Sequence, residues 1–165
     1  MPLKVLRFLS LLFVALSLAP AMAHLLELPH KINLPAAEYL TVQQIYAGWA
    51  LLGIVVVGAF LSTLGLLLVE RVHAERVGPT FLALLCIVAA QIVFWVYTYP
   101  VNVETQNWTT LPNNWLTLRA QWEYSHAAGA VLNLLAFVAL LIQVNLRKGG
   151  AYFEHGFTSR IADHH

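Results

Sequence analysis

Hydrophobic residues are concentrated in four long stretches of the chain, at about residues 3–23, 44–69, 79–99 and 126–146. Each is close to the roughly 20 residues that an α-helix needs to cross a hydrocarbon core about 30 Å thick. None of them alternates apolar and polar residues as a barrel strand would. The pattern therefore predicts an all-α fold, an integral membrane four-helix bundle that forms one domain over residues 1–165.

The segments between these stretches predict how the helices are connected. Residues 70–79 are charged and end in Gly78-Pro79, which indicates a short solvated hairpin followed by a helix start. Residues 100–125 contain two prolines and four asparagines, which are typical of turns. We expect the tryptophans of this loop, Trp108, Trp115 and Trp122, to form a lid on the headgroup layer. Residues 149–165 are predicted to form a solvated tail.

Lysine and arginine are distributed unequally between the two sides of the predicted bundle. Seven of the nine lie on the side of both termini, and only Lys31 and Arg119 lie on the other side. Positive residues collect on the cytoplasmic side of a membrane. We therefore expect both termini to be cytoplasmic and the loops at residues 24–43 and 100–125 to face outward.

The composition agrees with a lipid environment, because 59% of the residues are hydrophobic and 10% are charged, with a mean hydropathy of +0.70. Such a composition excludes a soluble globular domain. A net charge of +1 leaves no basic surface for nucleic acid. The single cysteine, Cys86, excludes an intrachain disulfide and a cysteine cage for a metal. The expected partner is the lipid bilayer, and the oligomeric state is left open.

The first stretch supports two interpretations. Lys4 and Arg7, the hydrophobic run that follows, and Ala21-Met22-Ala23 are also typical of a secretory signal with its cleavage site. The distribution of positive residues gives a consistent orientation even if the first stretch is not cleaved, which favours an uncleaved helix. Cleavage would leave His24 as the amino terminus, where its amine and ring can chelate copper.

Polar residues recur every three or four positions near the outer ends of two stretches. These sets are Gln91, Trp95, Thr98 and Asn102 in the third stretch, and Trp122, His126, Gly129 and Asn133 in the fourth. Residues at this spacing share one face of a helix. Since polar side chains avoid lipid, both faces are expected to point into the bundle, with Gly129 allowing a neighbouring helix to approach closely.

Two Glu-x-x-His units lie at outer helix ends, at residues 27–30 and 123–126. On a helix the two side chains of such a unit share a face, and paired units hold two metals in ferritin-like bundles. The pattern predicts a transition-metal site at the outer face with the ligands His24, Glu27, His30, Glu123 and His126. The alternative is that these are interfacial histidines beside Glu-Lys or Glu-Arg ion pairs.

A sparse motif makes the chain resemble a known family. It consists of Tyr99-Pro100-Val101-Asn102, Trp108, Leu118-Arg119-Ala120-Gln121-Trp122 and His126, with His24-Leu25-Leu26-Glu27-Leu28-Pro29 and Gln44-Ile45-Tyr46-Ala47-Gly48 earlier in the chain. From residue 24 to about residue 140 the chain is similar to the anthrone-oxygenase-like family of small membrane proteins.

That resemblance implies a four-helix membrane bundle that oxidises an anthrone to an anthraquinone with molecular oxygen and without a classical cofactor. Carried over by position, Asn102, Trp122 and His126 would line the site. The chain departs from the pattern at Gly129, where members with this activity usually have arginine.

Two functions from different classes follow. The first is a membrane oxidoreductase that acts on a lipophilic phenolic or quinol-type substrate at the outer face. In it, His126 would be the general base, Asn102 and Arg119 would stabilise a developing anion, and the Trp-rich loop would exclude water. The second is a non-catalytic membrane protein that binds a lipid, a quinone or a metal ion, or that supports a membrane complex.

Overall fold

The computed structural model describes the backbone of residues 2–72 and 77–162 and the side chains of residues 3–72 and 77–145. Its α-helices are α1 (Pro2–Lys31), α2 (Ala36–Gln43), α3 (Gly53–Val72), α4 (Gly78–Val93), α5 (Tyr99–Glu104) and α6 (Trp115–Ala162). Two 3-10 segments, Gln44–Tyr46 and Trp49–Leu52, precede α3. A π-helical segment, Phe94–Thr98, joins α4 to α5. These described parts contain no strand, so the predicted all-α fold class is confirmed.

Four spans in the described residues are long and apolar enough to cross a membrane: Leu3–Lys31, Trp49–Val72, Gly78–Glu104 and Trp115–Asn145. They form the predicted bundle. Helix α6 packs against both α1 and α4, and α3 packs mainly against α1. The inner core of the bundle contains several small residues, among them Ala59, Ala83, Ala136 and Ala139, which let helix backbones approach closely.

The first and fourth helices extend beyond their hydrophobic stretches, whereas α3 begins at Gly53 rather than near residue 44. Helix α1 continues past the predicted end at residue 23 to Lys31, and α6 begins at Trp115 rather than near His126. Both extensions contain polar residues that bond to other parts of the chain, so the helices continue past the apolar stretches. Helix α6 also continues to Ala162, into the segment predicted as a solvated tail.

The π-helical segment changes which residues of the third span face inward. Thr98 is buried, whereas Trp95 is 58% exposed, so the expectation that both share one inward face is wrong. The π-helix closes each hydrogen bond one residue later than an α-helix does, which rotates the residues that follow it. A face counted at 3.6 residues per turn therefore does not continue through Phe94–Thr98.

A close approach between helices occurs at Gly58 rather than at Gly129. A β-carbon added to Gly58 would lie 2.7 Å from the ring of Phe13, so α1 and α3 touch there. At Gly129 an added β-carbon would meet no other atom within 4 Å. The expectation that Gly129 admits a neighbouring helix is therefore wrong.

A second core lies at the end of the bundle where α1 ends and α6 begins. It is made of Tyr39, Val101, Trp108, Leu118 and Trp122. Because Trp108 and Trp122 are only 2% and 4% exposed, they belong to this core and do not form a surface lid. Trp108 is directed inward by a turn in which residues 106–108 all have positive φ, from 49° to 60°, a conformation that is unfavourable for residues other than glycine.

Candidate functional site

The C-terminal half of α1 and the N-terminal half of α6 bring two histidines into contact. The ring centroids of His24 and His126 are 4.1 Å apart. Trp122 lies 4.0 Å from His126 and 5.1 Å from His24, and Tyr46 lies 4.5 Å from His24. Trp49 closes the group at 5.5 Å from His24. We call these five residues the histidine cluster.

Hydrogen bonds fix the orientation of His126. Its Nδ1 lies 2.9 Å from the carbonyl oxygen of Trp122, and because a carbonyl can only accept, Nδ1 carries the proton. The basic nitrogen is therefore Nε2. The indole Nε1 of Trp122 in turn donates to Oδ1 of Asn102 at 2.8 Å. Two of the predicted site residues, Asn102 and Trp122, thus hold the third, His126.

His24 is the more deeply buried of the two histidines. It is 6% exposed, and its Nδ1 is buried and has no hydrogen-bond partner among the described residues. Its neighbours are the rings of Tyr46, Trp49, Trp122 and His126 rather than polar groups.

A charged layer centred on Lys31 lies next to the histidine cluster, towards the end of α1. The ammonium of Lys31 donates to the hydroxyl of Tyr46 at 2.6 Å and lies 3.3 Å from Glu27 and 3.4 Å from Glu123. Lys31 and Glu123 are 3% and 0% exposed, whereas the side chain of Glu27 is 35% exposed. Only Glu27 therefore connects this ion-pair network to the surface.

Two tyrosines donate hydrogen bonds to the carboxylates of this layer. The hydroxyl of Tyr39, on α2, donates to Glu123 at 2.9 Å, and the hydroxyl of Tyr46 donates to Glu27. Burial, followed by the charge of Glu123, raises the pKa of Tyr39 above its ordinary value of 10.0. Burial and the hydrogen bond to Glu27 raise the pKa of Tyr46 in the same direction. Both hydroxyls consequently remain protonated donors at neutral pH.

Arg119 lies near the start of α6, against the connection between α1 and α2. Its Nη1 donates to the carbonyl of Leu34 at 2.7 Å, and its guanidinium stacks over Trp115 and Tyr39. It precedes His126 by seven residues, about 10 Å along α6 at 1.5 Å per residue. Arg119 therefore holds the connection between α1 and α2 against α6.

The predicted metal ligands fall into separate groups. His24 and His126 contact one another, Glu27 and Glu123 are joined through Lys31, and His30 is exposed. In the part of the chain that the structure describes, no three His, Cys, Asp or Glu residues are grouped so that they could hold a metal ion. The five-ligand set is thus not brought together, and the metal site stays a prediction. The side chains of the tail, residues 149–165, lie outside the described residues.

Lys31 and Tyr39 are absent from the site that the sequence predicts. A signal for Lys31 exists, since it follows His24 by seven residues and Glu27 by four, which is the spacing of one helical face. It is visible only if the first helix is extended through Pro29. Tyr39 gives no such signal, because its partner Glu123 is 84 residues away in the chain.

A second polar cluster lies at the opposite end of the bundle. Glu70 of α3 is 0% exposed and accepts hydrogen bonds from Arg7 at 3.2 Å, Gln143 at 2.9 Å and Thr80 at 2.6 Å. These donors belong to α1, α6 and α4, so all four long helices meet at one carboxylate. The expectation that Glu70 lies in a solvated hairpin is wrong.

Four apolar spans, joined into a bundle with buried polar clusters towards both ends, define a multi-pass integral membrane protein of the four-helix bundle class. Comparisons with family models, curated proteins and solved structures give no match to the chain.

Proposed function

We propose that the protein is a membrane oxidoreductase that acts on a lipophilic phenolic or quinol-type substrate. The observation that supports this proposal is His126, whose Nδ1 is fixed by the carbonyl of Trp122 and whose basic Nε2 lies in an aromatic cluster. The distribution of lysine and arginine supports an orientation with both termini in the cytoplasm. In that orientation the histidine cluster lies at the outer face.

His126 is the proton acceptor of the proposed reaction. A neutral imidazole with a free ring nitrogen can accept a proton from a phenolic hydroxyl or an acidic ring C–H. Asn102 and Trp122 are positioning residues, because they act through the orientation of His126. The sequence suggested that Arg119 stabilises a developing anion. In this proposal it anchors the connection between α1 and α2 instead.

The proposed oxidant is molecular oxygen. A quinol that gives up two electrons and two protons becomes a quinone, and the oxygen that accepts them becomes hydrogen peroxide. An anthrone, the substrate that the family resemblance implies, gains one atom of the oxygen molecule at its ring methylene carbon. The two hydrogens of that carbon leave with the second oxygen atom as water. In both reactions the first step is proton transfer to Nε2 of His126.

Oxygen uptake by the detergent-purified protein tests the proposal, with a short-chain ubiquinol analogue and an anthrone as the substrates. His126→Ala should lower the uptake rate by about 100-fold or more, which is the usual contribution of a general base. The matched control is His30→Ala, which removes an exposed histidine and should leave the rate unchanged.

Three outcomes would contradict the proposal. Wild-type protein that consumes no oxygen with either substrate is not this oxidoreductase, and if it still binds the quinol analogue, the non-catalytic binding function applies. Equal rates for wild type and His126→Ala would remove His126 from the reaction. A stoichiometric transition metal that is lost in both His24→Ala and His126→Ala would replace the metal-free base with a metal site.

A further inference from the structure

The buried carboxylate of Glu70 is the starting point, because it bonds to all three of the other long helices. One of its oxygens, Oε1, accepts from both Arg7 of α1 and Gln143 of α6. The other, Oε2, accepts from Thr80 of α4. Apolar side chains distinguish poorly between alternative alignments of helices in lipid, so hydrogen bonds between helices can decide which alignment forms.

Equal spacings along two helices connect this carboxylate with the histidine cluster. His24 follows Arg7 by 17 residues on α1, and Gln143 follows His126 by 17 residues on α6. At 1.5 Å per residue both separations are about 25 Å. Since α1 and α6 pack together and run in opposite directions, joining Arg7 and Gln143 to one oxygen places His24 and His126 at the same height.

We propose that Glu70 is a positioning residue that sets the axial register of α1 against α6 and so brings His24 beside His126. A slip of one helical turn moves one helix about 5.4 Å past the other, which separates rings whose centroids are 4.1 Å apart. The same slip also moves Lys31 of α1 away from Glu123 of α6, which lie 3.4 Å apart.

The competing explanation is that Glu70 contributes stability alone, while apolar packing sets the register. The double variant Arg7→Met/Glu70→Met distinguishes the two explanations. Replacing both partners of a buried ion pair with apolar residues is often neutral or stabilising, whereas removing one partner leaves an uncompensated charge. The double variant removes both charges of the pair, so neither is left unpaired, and it should keep its helical fold but lose the single register.

Register is measured by chemical crosslinking between α1 and α6. Cysteines replace His24 and His126 in a Cys86→Ala background, and a short bifunctional thiol reagent joins them. Mass spectrometry gives the crosslinked fraction. Adding Arg7→Met/Glu70→Met should lower that fraction at least threefold. The control is Leu68→Met, a change at an exposed position two residues from Glu70 on α3, which should leave the fraction unchanged.

An unchanged crosslinked fraction in a folded Arg7→Met/Glu70→Met protein would overturn the proposal. If that variant loses its helical circular dichroism, Glu70→Gln is measured instead, because it keeps the side-chain volume and one acceptor oxygen but not the charge. For Glu70→Gln a lower fraction supports the register role and an unchanged fraction overturns it. The readout needs no turnover, so failure here is distinct from failure of the proposed oxidation.

Discussion

Tyr39 is a single side chain that connects the short helix α2 with the bundle. It is 0% exposed, and its hydroxyl donates to the buried carboxylate of Glu123. Hydrogen bonds to charged groups contribute about 1.5–3 kcal/mol. We expect Tyr39→Phe to lower the free energy of unfolding by about that amount, because the carboxylate loses a donor while the packing of the ring is kept. Thermal and denaturant unfolding in detergent measure the change.

Tyr124→Phe is the matched control for this prediction. Tyr124 is the residue after Glu123 on α6, but it is 59% exposed. Changes at exposed positions usually stay within about 0.5 kcal/mol. A loss of stability in Tyr124→Phe as large as that in Tyr39→Phe would show that the buried hydrogen bond contributes nothing specific.

The site residues that the sequence could identify are those that stand out from an apolar background. Asn102 and His126 lie at the ends of hydrophobic stretches, where a polar side chain is costly, and both lie against Trp122 in the structure. Lys31 and Glu70 lie where a charge is ordinary, next to loops. Their burial depends on partners from other helices, which spacing within one helix does not reveal.

At the scale of the helices, α1 and α3 approach most closely where Gly58 faces Phe13. A methyl group at Gly58 would lie 2.7 Å from the ring, so Phe13 would have to move within a packed core. Overpacking of this kind typically costs about 1–3 kcal/mol. We expect Gly58→Ala to lower the unfolding temperature in detergent.

Gly129→Ala provides the comparison within another long helix. An added β-carbon there meets no atom within 4 Å, and alanine favours a helix by up to about 1 kcal/mol over glycine. Gly129→Ala should therefore melt at the wild-type temperature or slightly above it. If Gly129→Ala is the more damaging of the two substitutions, the assigned contact between α1 and α3 is incorrect.

Helix faces could be predicted from the sequence only where the helix keeps 3.6 residues per turn along its whole length. The set beginning at Gln91 fails because the π-helical segment Phe94–Thr98 interrupts the 3.6-residue repeat. No residue type in that segment marks the change of period. Thr98, the last residue of this segment, bonds to Ser125 of α6 at 2.7 Å, a contact between two helices that only the folded chain reveals.

For the whole molecule, the four-helix architecture followed from the sequence because a bilayer restricts the choice of fold. Every backbone polar group must be satisfied within the span, so a long apolar segment is a helix. The segment that joins the first and second spans was less predictable. Residues 24–52 include the end of α1, α2 and two 3-10 segments, and their positions depend on partners such as Glu123 and Arg119.

Orientation in the membrane is a property of the whole chain that cysteine labelling can test. Single cysteines at Ala74 and Asn113, in a Cys86→Ala background, report on the connection between α3 and α4 and on the loop before α6. We expect Asn113→Cys to react with an impermeant maleimide added to intact cells. Ala74→Cys should react only after the membrane is opened, because seven of the nine lysines and arginines lie on its side.

A denatured sample of each cysteine variant serves as the control and shows that both thiols are present and reactive. The opposite labelling pattern would place the histidine cluster at the cytoplasmic face. The proposed substrate would then have to enter from the inner leaflet. The bundle and the contacts within it would be unaffected, because neither depends on the direction in which the chain crosses the membrane.

The π-helical segment Phe94–Thr98 also marks a place where the chain length can vary. A π turn contains one more residue than an α turn, so deleting one residue inside it leaves an ordinary α turn, and Val101 and Asn102 keep their direction. The same deletion in the middle of α4 would rotate everything beyond it by about 100°. Insertions and deletions of a single residue in proteins descended from the same ancestor should therefore concentrate in this segment.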